Sequence, residues 1–269
     1  MDDIAIGIII FFFGTIIGSF LNVVIYRFQS GRGLGGRSIC MSCSRTLSWF
    51  ELVPLASFIV QDGRCRTCKT RISPQYLIVE ALTGFIFMLL TLKYIALLPA
   101  HTSLFVALLV YAMYFFSLLV VISVYDFRHK IIPDKLVYTF IVCAFLGQFF
   151  VHGTSVGFAM PSALALFSGL IIALPFALIW YFSQGRAMGL GDAKLMIGIG
   201  YLLGLSQGVV AVMLGFIFGA VTALSLLLLR RSRFTMKSEI PFGPFLAVGA
   251  LVVFLYTIDI PTFLSFFQS

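Results

Sequence analysis

Residues Ile4 to Tyr26 read IAIGIIIFFFGTIIGSFLNVVIY, 23 positions without a charge. At ~1.5 Å per residue, a helix needs about 20 such residues to cross a hydrocarbon layer of ~30 Å, so this stretch is one full crossing. The acidic Met1-Asp2-Asp3 ahead of it lacks the basic start of a cleaved signal, and the run is too long for one, so it reads as a retained span. Working outward, uncharged runs recur at Leu104 to Tyr125 and Ile240 to Ile258. Ile72 to Leu92 is equally apolar except for Glu80, and Leu136 to Gly185 is split into two spans around Gly153, Gly157 and Pro161. Leu195 to Leu229 is too long for one crossing and divides at Ser206-Gln207-Gly208. Its first half must start near Gly189, which puts Asp192 in the opening turns. The expected fold is an all-α polytopic membrane protein of about eight transmembrane helices.

Composition agrees. The 269 residues are 61% hydrophobic and only 10% charged, with a mean hydropathy of +1.09. A soluble domain carries about a quarter charged residues, so a large soluble catalytic domain is excluded. The net charge of +8 then reports orientation rather than nucleic acid. With the N-terminus outside, segments 27–71, 126–135, 183–194 and 230–239 are cytoplasmic and hold 17 of the 18 Lys and Arg. Lys93 is the exception, and its long stem can reach the opposite surface. The expected organisation is a first helix over 1–26, a cytoplasmic loop over 27–71 and helices two to eight over 72–269. Gly14/Gly18, Gly200/Gly204 and Gly215/Gly219 are spaced to let helices approach closely in lipid.

The polar loop carries Cys40-Met-Ser-Cys43 and Cys65-Arg-Thr-Cys68, with 21 residues between the pairs. Two such knuckles can offer four thiolates to one tetrahedral ion, the pattern of a structural zinc site. Two disulfides are the alternative, but a cytoplasmic loop is reducing. The loop has little apolar core, and a metal can contribute the missing folding free energy. Four thiolates leave no open position for water, so the ion is structural. The lone Cys143 reads as packing, and His129 as a loop residue. Gly31 to Gly36 matches G-x-G-x-x-G literally, but follows a membrane helix rather than a strand and carries no nucleotide-binding weight.

Most of the ten acids lie at ends, near surfaces or in the polar loop, which leaves Glu80, Asp126, Asp134 and Asp192. Ionisable groups at membrane depth cost several kcal/mol unless paired or wetted, so they are functional candidates. Asp126 falls at the cytoplasmic end of the third span and Asp192 at the cytoplasmic start of the sixth, in Gly189-Leu-Gly191-Asp192. Topology thus sets both at one depth. If packing brings them to ~3 Å, repulsion leaves one proton shared, as in aspartic proteases. The competing reading pairs Asp126 and Asp134 with Arg128, Lys130 or Lys135, and Asp192 with Lys194 or Arg186.

These residues together resemble the type IV prepilin peptidases, bacterial inner-membrane leader peptidases and N-methyltransferases of the G-x-G-D aspartic protease class. Gly18-Ser-Phe-Leu-Asn22 through Arg27 resembles the first-span signature, and the paired knuckles resemble the cytoplasmic domain. Asp126 with Ile132-Pro133-Asp134, Gly189-Leu-Gly191-Asp192-Ala-Lys-Leu and Pro241-Phe-Gly-Pro-Phe follow in the family's order. Met41 and Glu51-Leu-Val-Pro54 depart from the usual text without touching a thiol or an aspartate. The resemblance implies cleavage after the Gly that ends a basic leader of type IV prepilins or pseudopilins. It also implies methylation of the new N-terminus from S-adenosylmethionine. By the match, Asp126 and Asp192 are catalytic, Cys40, Cys43, Cys65 and Cys68 hold zinc, and Glu80 matches a family acid, a candidate for cofactor binding. Membrane lipid and prepilins are the expected partners, with no nucleic acid. A proton-coupled secondary transporter and a non-catalytic zinc-loop adaptor are the rival readings. The first predicts acids at span centres and an internal repeat, and the second leaves the Gly-x-Gly-Asp segment idle.

Overall fold

The computed structural model describes residues 3–28, 33, 35–153, 155–228 and 240–265. Part of the Gly31 to Gly36 run, the basic segment 230–239, Asp2 and Glu239 lie outside them. The chain divides into two compact units, Met1–Phe105 and Val106–Ser269.

In the first unit, helices α1 (Asp3–Arg27) and α3 (Gln75–Tyr94) pack along one another. The polar loop between them contains a 3-10 turn over Trp49–Leu52 and the short α2 (Ala56–Val60). Glycine permits the approach of the two long helices. A Cβ at Gly14 would lie 2.7 Å from the Gly84 Cα, and one at Gly18 would lie 2.8 Å from the Glu80 Cα. Lipid tails offer no hydrophobic drive between helices, so this contact rests on close packing and on polar pairs. Fully buried Asn22 supplies such pairs. Its amide donates to the Tyr76 carbonyl (3.3 Å) and accepts from the Gln75 amide (3.5 Å), while Tyr26 stacks on Tyr76 at 5.0 Å.

The second unit takes in the rest of α4 (Thr102–His129), then α5 (Asp134–Gly147), a β1–β2 hairpin (Val151–His152, Ser155–Val156) and α6 (Ala163–Ser183). It continues through α7 (Leu190–Leu203), α8 (Leu205–Leu228), α9 (Gly243–Tyr256) and the short α10 (Ile260–Ser265). The hairpin stands where the Gly153 to Pro161 break was expected. Helix α7 packs against α5, α6, α8 and α9. Two carbonyls of its last turn accept side-chain hydrogen bonds: Gly200, which also takes the capping Gly204 amide (2.8 Å), accepts from Ser168 Oγ (2.9 Å), and Tyr201 accepts from Gln148 Nε2 (3.0 Å).

Among the described residues, α1, α3, α4, α6 and α8 are long and apolar enough to cross a membrane. The chain is a multi-pass, mainly helical membrane protein. The other three expected spans are the helices α5, α7 and α9, each of 14 residues. That is about 21 Å of helix, less than a full crossing. Their bounds follow from local chemistry, with Pro133, Gly189 and Phe242-Gly243-Pro244 at the starts. Three details of the sequence reading are corrected. The break between α7 and α8 falls at Gly204, whose φ of 78° suits glycine, and not at Ser206 to Gly208. Gly204 touches nothing that a Cβ would meet, so the packing partner of Gly200 is Gly208 together with Gly169. His129 is the last residue of α4 rather than a loop residue, its ring 4.5 Å from that of Tyr125.

Candidate functional site

Helix α4 carries Asp126 one turn before its end, and α7 carries Asp192 in its first turn. Both carboxylates line one cavity of about 860 Å³ in the second unit, together with Gly189, Gly191, Pro241 and Phe242. They are close enough for the charge of Asp126 to act on Asp192. Asp126 is buried, and its Oδ2 accepts a hydrogen bond from the Gly243 N–H at 2.9 Å. Gly243 opens α9, so this amide is one of the donors that a helix start leaves unpaired, in the positive end of its dipole. Asp192 is the third residue of α7, and its carboxylate reaches back to the Gly189 amide, half of a capping box. Gly191 keeps the helix start near the Ile131-Ile132 turn, since a Cβ there would lie 2.8 Å from the Ile132 Cβ.

Among the described ion pairs, none joins Asp126 or Asp192 to a basic side chain. Lys194 instead bonds Asp134 at 2.6 Å, with its ammonium over the Tyr138 ring at 5.1 Å. That pair joins the starts of α5 and α7, the two elements beside the Asp126 turn. Asp134 is therefore a strut at the cavity rim, and Asp126 and Asp192 keep their carboxylates for the cavity. Two carboxylates lining one cavity are a donor and acceptor set that can carry acid–base chemistry on a bound water.

In the first unit the four thiols of Cys40, Cys43, Cys65 and Cys68 lie within 4.8 Å of one another. The Cys40 and Cys68 sulfurs are 3.8 Å apart, the edge of a tetrahedron with metal–sulfur bonds of about 2.3 Å. The two knuckles are built alike. Ser44 and Lys69, each four residues past the first cysteine, adopt positive φ and return their amides to the Cys40 and Cys65 carbonyls. Those tight turns aim further donors at sulfur. The Thr70 hydroxyl and amide hold the Cys68 thiol down at about 6, and the Cys68 and Thr67 amides hold Cys65 below the usual thiol range. The Arg45 amide pulls Cys43 down, but the adjoining Cys40 thiol and burial leave it raised to about 11. Four thiols that cannot all ionise unaided are the donor set a divalent cation would neutralise, so the residues fit zinc.

Sequence reasoning missed two supports, the Arg45–Glu51 pair and the Gly243 amide, and named a third, Glu80, without its role. Arg45 bonds Glu51 at 2.6 Å and reaches Cys65 of the opposite knuckle. The Glu51 side chain is 1% exposed and held below the usual carboxylate range by the Ser48 amide and by Arg45. Ser48-x-x-Glu51 is a capping-box pattern, so the signal was legible. Glu80, buried on α3, accepts the Leu55 amide at 2.8 Å and the Ser19 hydroxyl, fastening the loop to the helix pair. Gly243 was visible only as part of a motif.

A carboxylate pair lining one cavity at the ends of apolar helices, in a chain that also carries a four-thiol cluster, places the chain among polytopic membrane enzymes. Comparison with known proteins then fixes the family. The bacterial peptidase A24 N-terminal domain matches residues 12–94, and the type IV leader peptidase family matches residues 113–224. A Vibrio cholerae protein named prepilin leader peptidase/N-methyltransferase is 30% identical, the alignment covering 89% of this chain and 92% of that one. The Bacillus subtilis protein of the same name is 29% identical over 95% of this chain and 96% of its own. An Escherichia coli type 4 prepilin-like proteins leader peptide-processing enzyme is 28% identical over 88% and 89%. No solved structure matches the chain. The chain belongs to the type IV leader peptidase family.

Proposed function

We propose that this protein removes the basic leader of type IV prepilins or pseudopilins after its terminal Gly and methylates the new N-terminus from S-adenosylmethionine. The observation that carries the cleavage reading is the shared cavity of Asp126 and Asp192. The ionised member of the pair takes a proton from water, which attacks the carbonyl carbon at the leader Gly. The protonated member stabilises the developing alkoxide and then donates to the leaving amine. The Gly243 amide fixes Asp126, and the Gly189 amide fixes Asp192, so that the two act on one water. Cys40, Cys43, Cys65 and Cys68 hold one zinc ion, which keeps the loop folded and takes no part in hydrolysis.

The site lies at the cytoplasmic face of the bacterial inner membrane in this reading. The basic excess in the loops that would face the cytoplasm supports it, and a leader can stay in water there while its apolar helix stays in lipid. Methylation is supported by the names of the relatives, with S-adenosylmethionine as the second substrate. A transporter has no support from the family match, and Asp126 and Asp192 stand at helix ends rather than at span centres.

The test uses purified full-length protein and a prepilin peptide. Asp126→Asn and Asp192→Asn should each lower cleavage by about 10²–10⁴-fold, while methylation of an already cleaved peptide persists. Cleavage at the wild-type rate by either variant ends the proposal.

A further inference from the structure

The polar loop carries a surface that hydrolysis and metal binding leave unused. Between Trp49 and Val60, Trp49 is 80% exposed, Ile59 65% and Val60 83%, with Phe50, Leu52 and Val53 exposed as well. Scattered surface apolar residues need no explanation, but a run of six on a loop outside the spans marks an interaction surface. Beside it lies an open concavity of about 910 Å³, lined by Phe50, Val53 and Val60 and by Arg64, Arg66 and Lys69. The Arg66 guanidinium sits over the Phe50 ring at 5.1 Å, so apolar and cationic groups form one continuous face. Asp62 is the single acid in the described lining. Three cations against one acid suit an anion and oppose a basic peptide, which separates this face from the cavity where a basic leader would be cut.

The occupant follows from tethering and charge. The loop is anchored at both ends in helices of membrane-spanning length, α1 ending at Arg27 and α3 starting at Gln75. It therefore stays within reach of the bilayer surface. Tryptophan rings settle at headgroup level, and cations near the surface favour anionic lipid by about fivefold each. We propose that the Trp49 to Val60 face docks on the membrane, with an anionic phospholipid headgroup held by Arg64, Arg66 and Lys69. Docking of this kind lays the thiol knuckle against the bilayer and limits where the loop can range.

The test reads Trp49 directly. The chain has two tryptophans, so full-length protein carrying Trp180→Phe leaves Trp49 as sole reporter. It is placed in lipid nanodiscs that contain either brominated phosphatidylglycerol in phosphatidylcholine or brominated phosphatidylcholine alone. The expected result is strong bromine quenching of Trp49 in the anionic discs, much weaker quenching in the neutral discs, and reversal by high salt. An Arg64→Gln, Arg66→Gln, Lys69→Gln variant should shift the docked-to-free ratio by about 10²-fold, with its metal content, measured in parallel, unchanged. Because Arg64, Arg66 and Lys69 flank Cys65 and Cys68, a variant that loses metal is replaced by Val60→Asp, which sets an acid in the same face away from the thiols and is expected to weaken quenching by at least about fivefold. Equal quenching in neutral and anionic discs, no quenching in either, or quenching in the variant equal to wild type overturns the proposal. Peptide cleavage is assayed on the same samples, so failure of docking and failure of the peptidase reading are separate results.

Discussion

Replacing Gly243 by Ala tests the architecture of the carboxylate pair more sharply than removing an acid. A Cβ at this position would lie 2.8 Å from the Asp126 Oδ2 and 3.4 Å from its Cγ. Ordinary contact begins near 3.4 Å, so the carboxylate must retreat by about 0.6 Å. Asp126 is short and buried, and cannot swing away cheaply. The same retreat stretches its bond to the Gly243 amide from 2.9 Å to about 3.5 Å, beyond useful hydrogen-bond length. A catalytic group displaced by 1 Å costs about 10²-fold, so the expected loss in kcat is about 10- to 100-fold, or about 1.4–2.7 kcal/mol of barrier. The assay is steady-state cleavage of a prepilin peptide in detergent, with methylation of an already cleaved peptide as the folding control. Gly219→Ala is the steric control, because its Cβ would meet nothing closer than 3.5 Å, and it should cleave normally. Cleavage by Gly243→Ala within twofold of wild type would refute the claim that this amide positions Asp126.

A Cys40→Ser, Cys43→Ser variant should lose its metal, about one zinc per chain in the wild type, and expose the loop between α1 and α3 to protease; retained zinc would contradict the four-thiol site. Glu51→Gln frees Arg45 from its 2.6 Å partner and should weaken zinc retention by about 10- to 100-fold in a chelator competition, whereas unchanged retention would make the pair incidental. Gly84→Val pushes a side chain into the Phe11 carbonyl and the Thr15 methyl, both 2.8 Å from where its Cβ would stand. It should destabilise the α1–α3 pair by about 1–3 kcal/mol, read as a lower Tm in detergent.

What the sequence could disclose depended on the range of each interaction. Long apolar runs report lipid burial residue by residue, so α1, α3, α4, α6 and α8 were legible from hydropathy alone. The lengths of α5, α7 and α9 were not, because their starts are set by local backbone chemistry at Pro133, Gly189 and Phe242-Gly243-Pro244 rather than by hydropathy. Helix α7 ends at Gly204 for a backbone reason, while the hydropathy of the segment runs on unbroken. Glycine spacing identified Gly14 and Gly18 correctly, since both face one neighbour. It misled at Gly204, because i and i+4 positions share a helix face only while the helix continues.

The same limit explains the cavity. That Asp126 and Asp192 stand at similar depth follows from counting spans, a one-dimensional argument that any pair of helix ends would satisfy. What brings two carboxylates of equal depth to one cavity is lateral, and it comes from groups that carry no charge in the sequence. Gly243 brings the start of α9 against α4 with its amide aimed at Asp126, and Gly191 brings the start of α7 against the Ile131-Ile132 turn. Lys194, which a charge-based reading would give to Asp192 two residues away, is taken up by Asp134 at 2.6 Å. A helical residue points away from its neighbour two positions along, so that local pairing was geometrically poor from the start. The acids of the pair are thus left to each other by the placement of glycines and by one ion pair at the rim. This is why the Gly243 substitution, and not only loss of an acid, should slow cleavage.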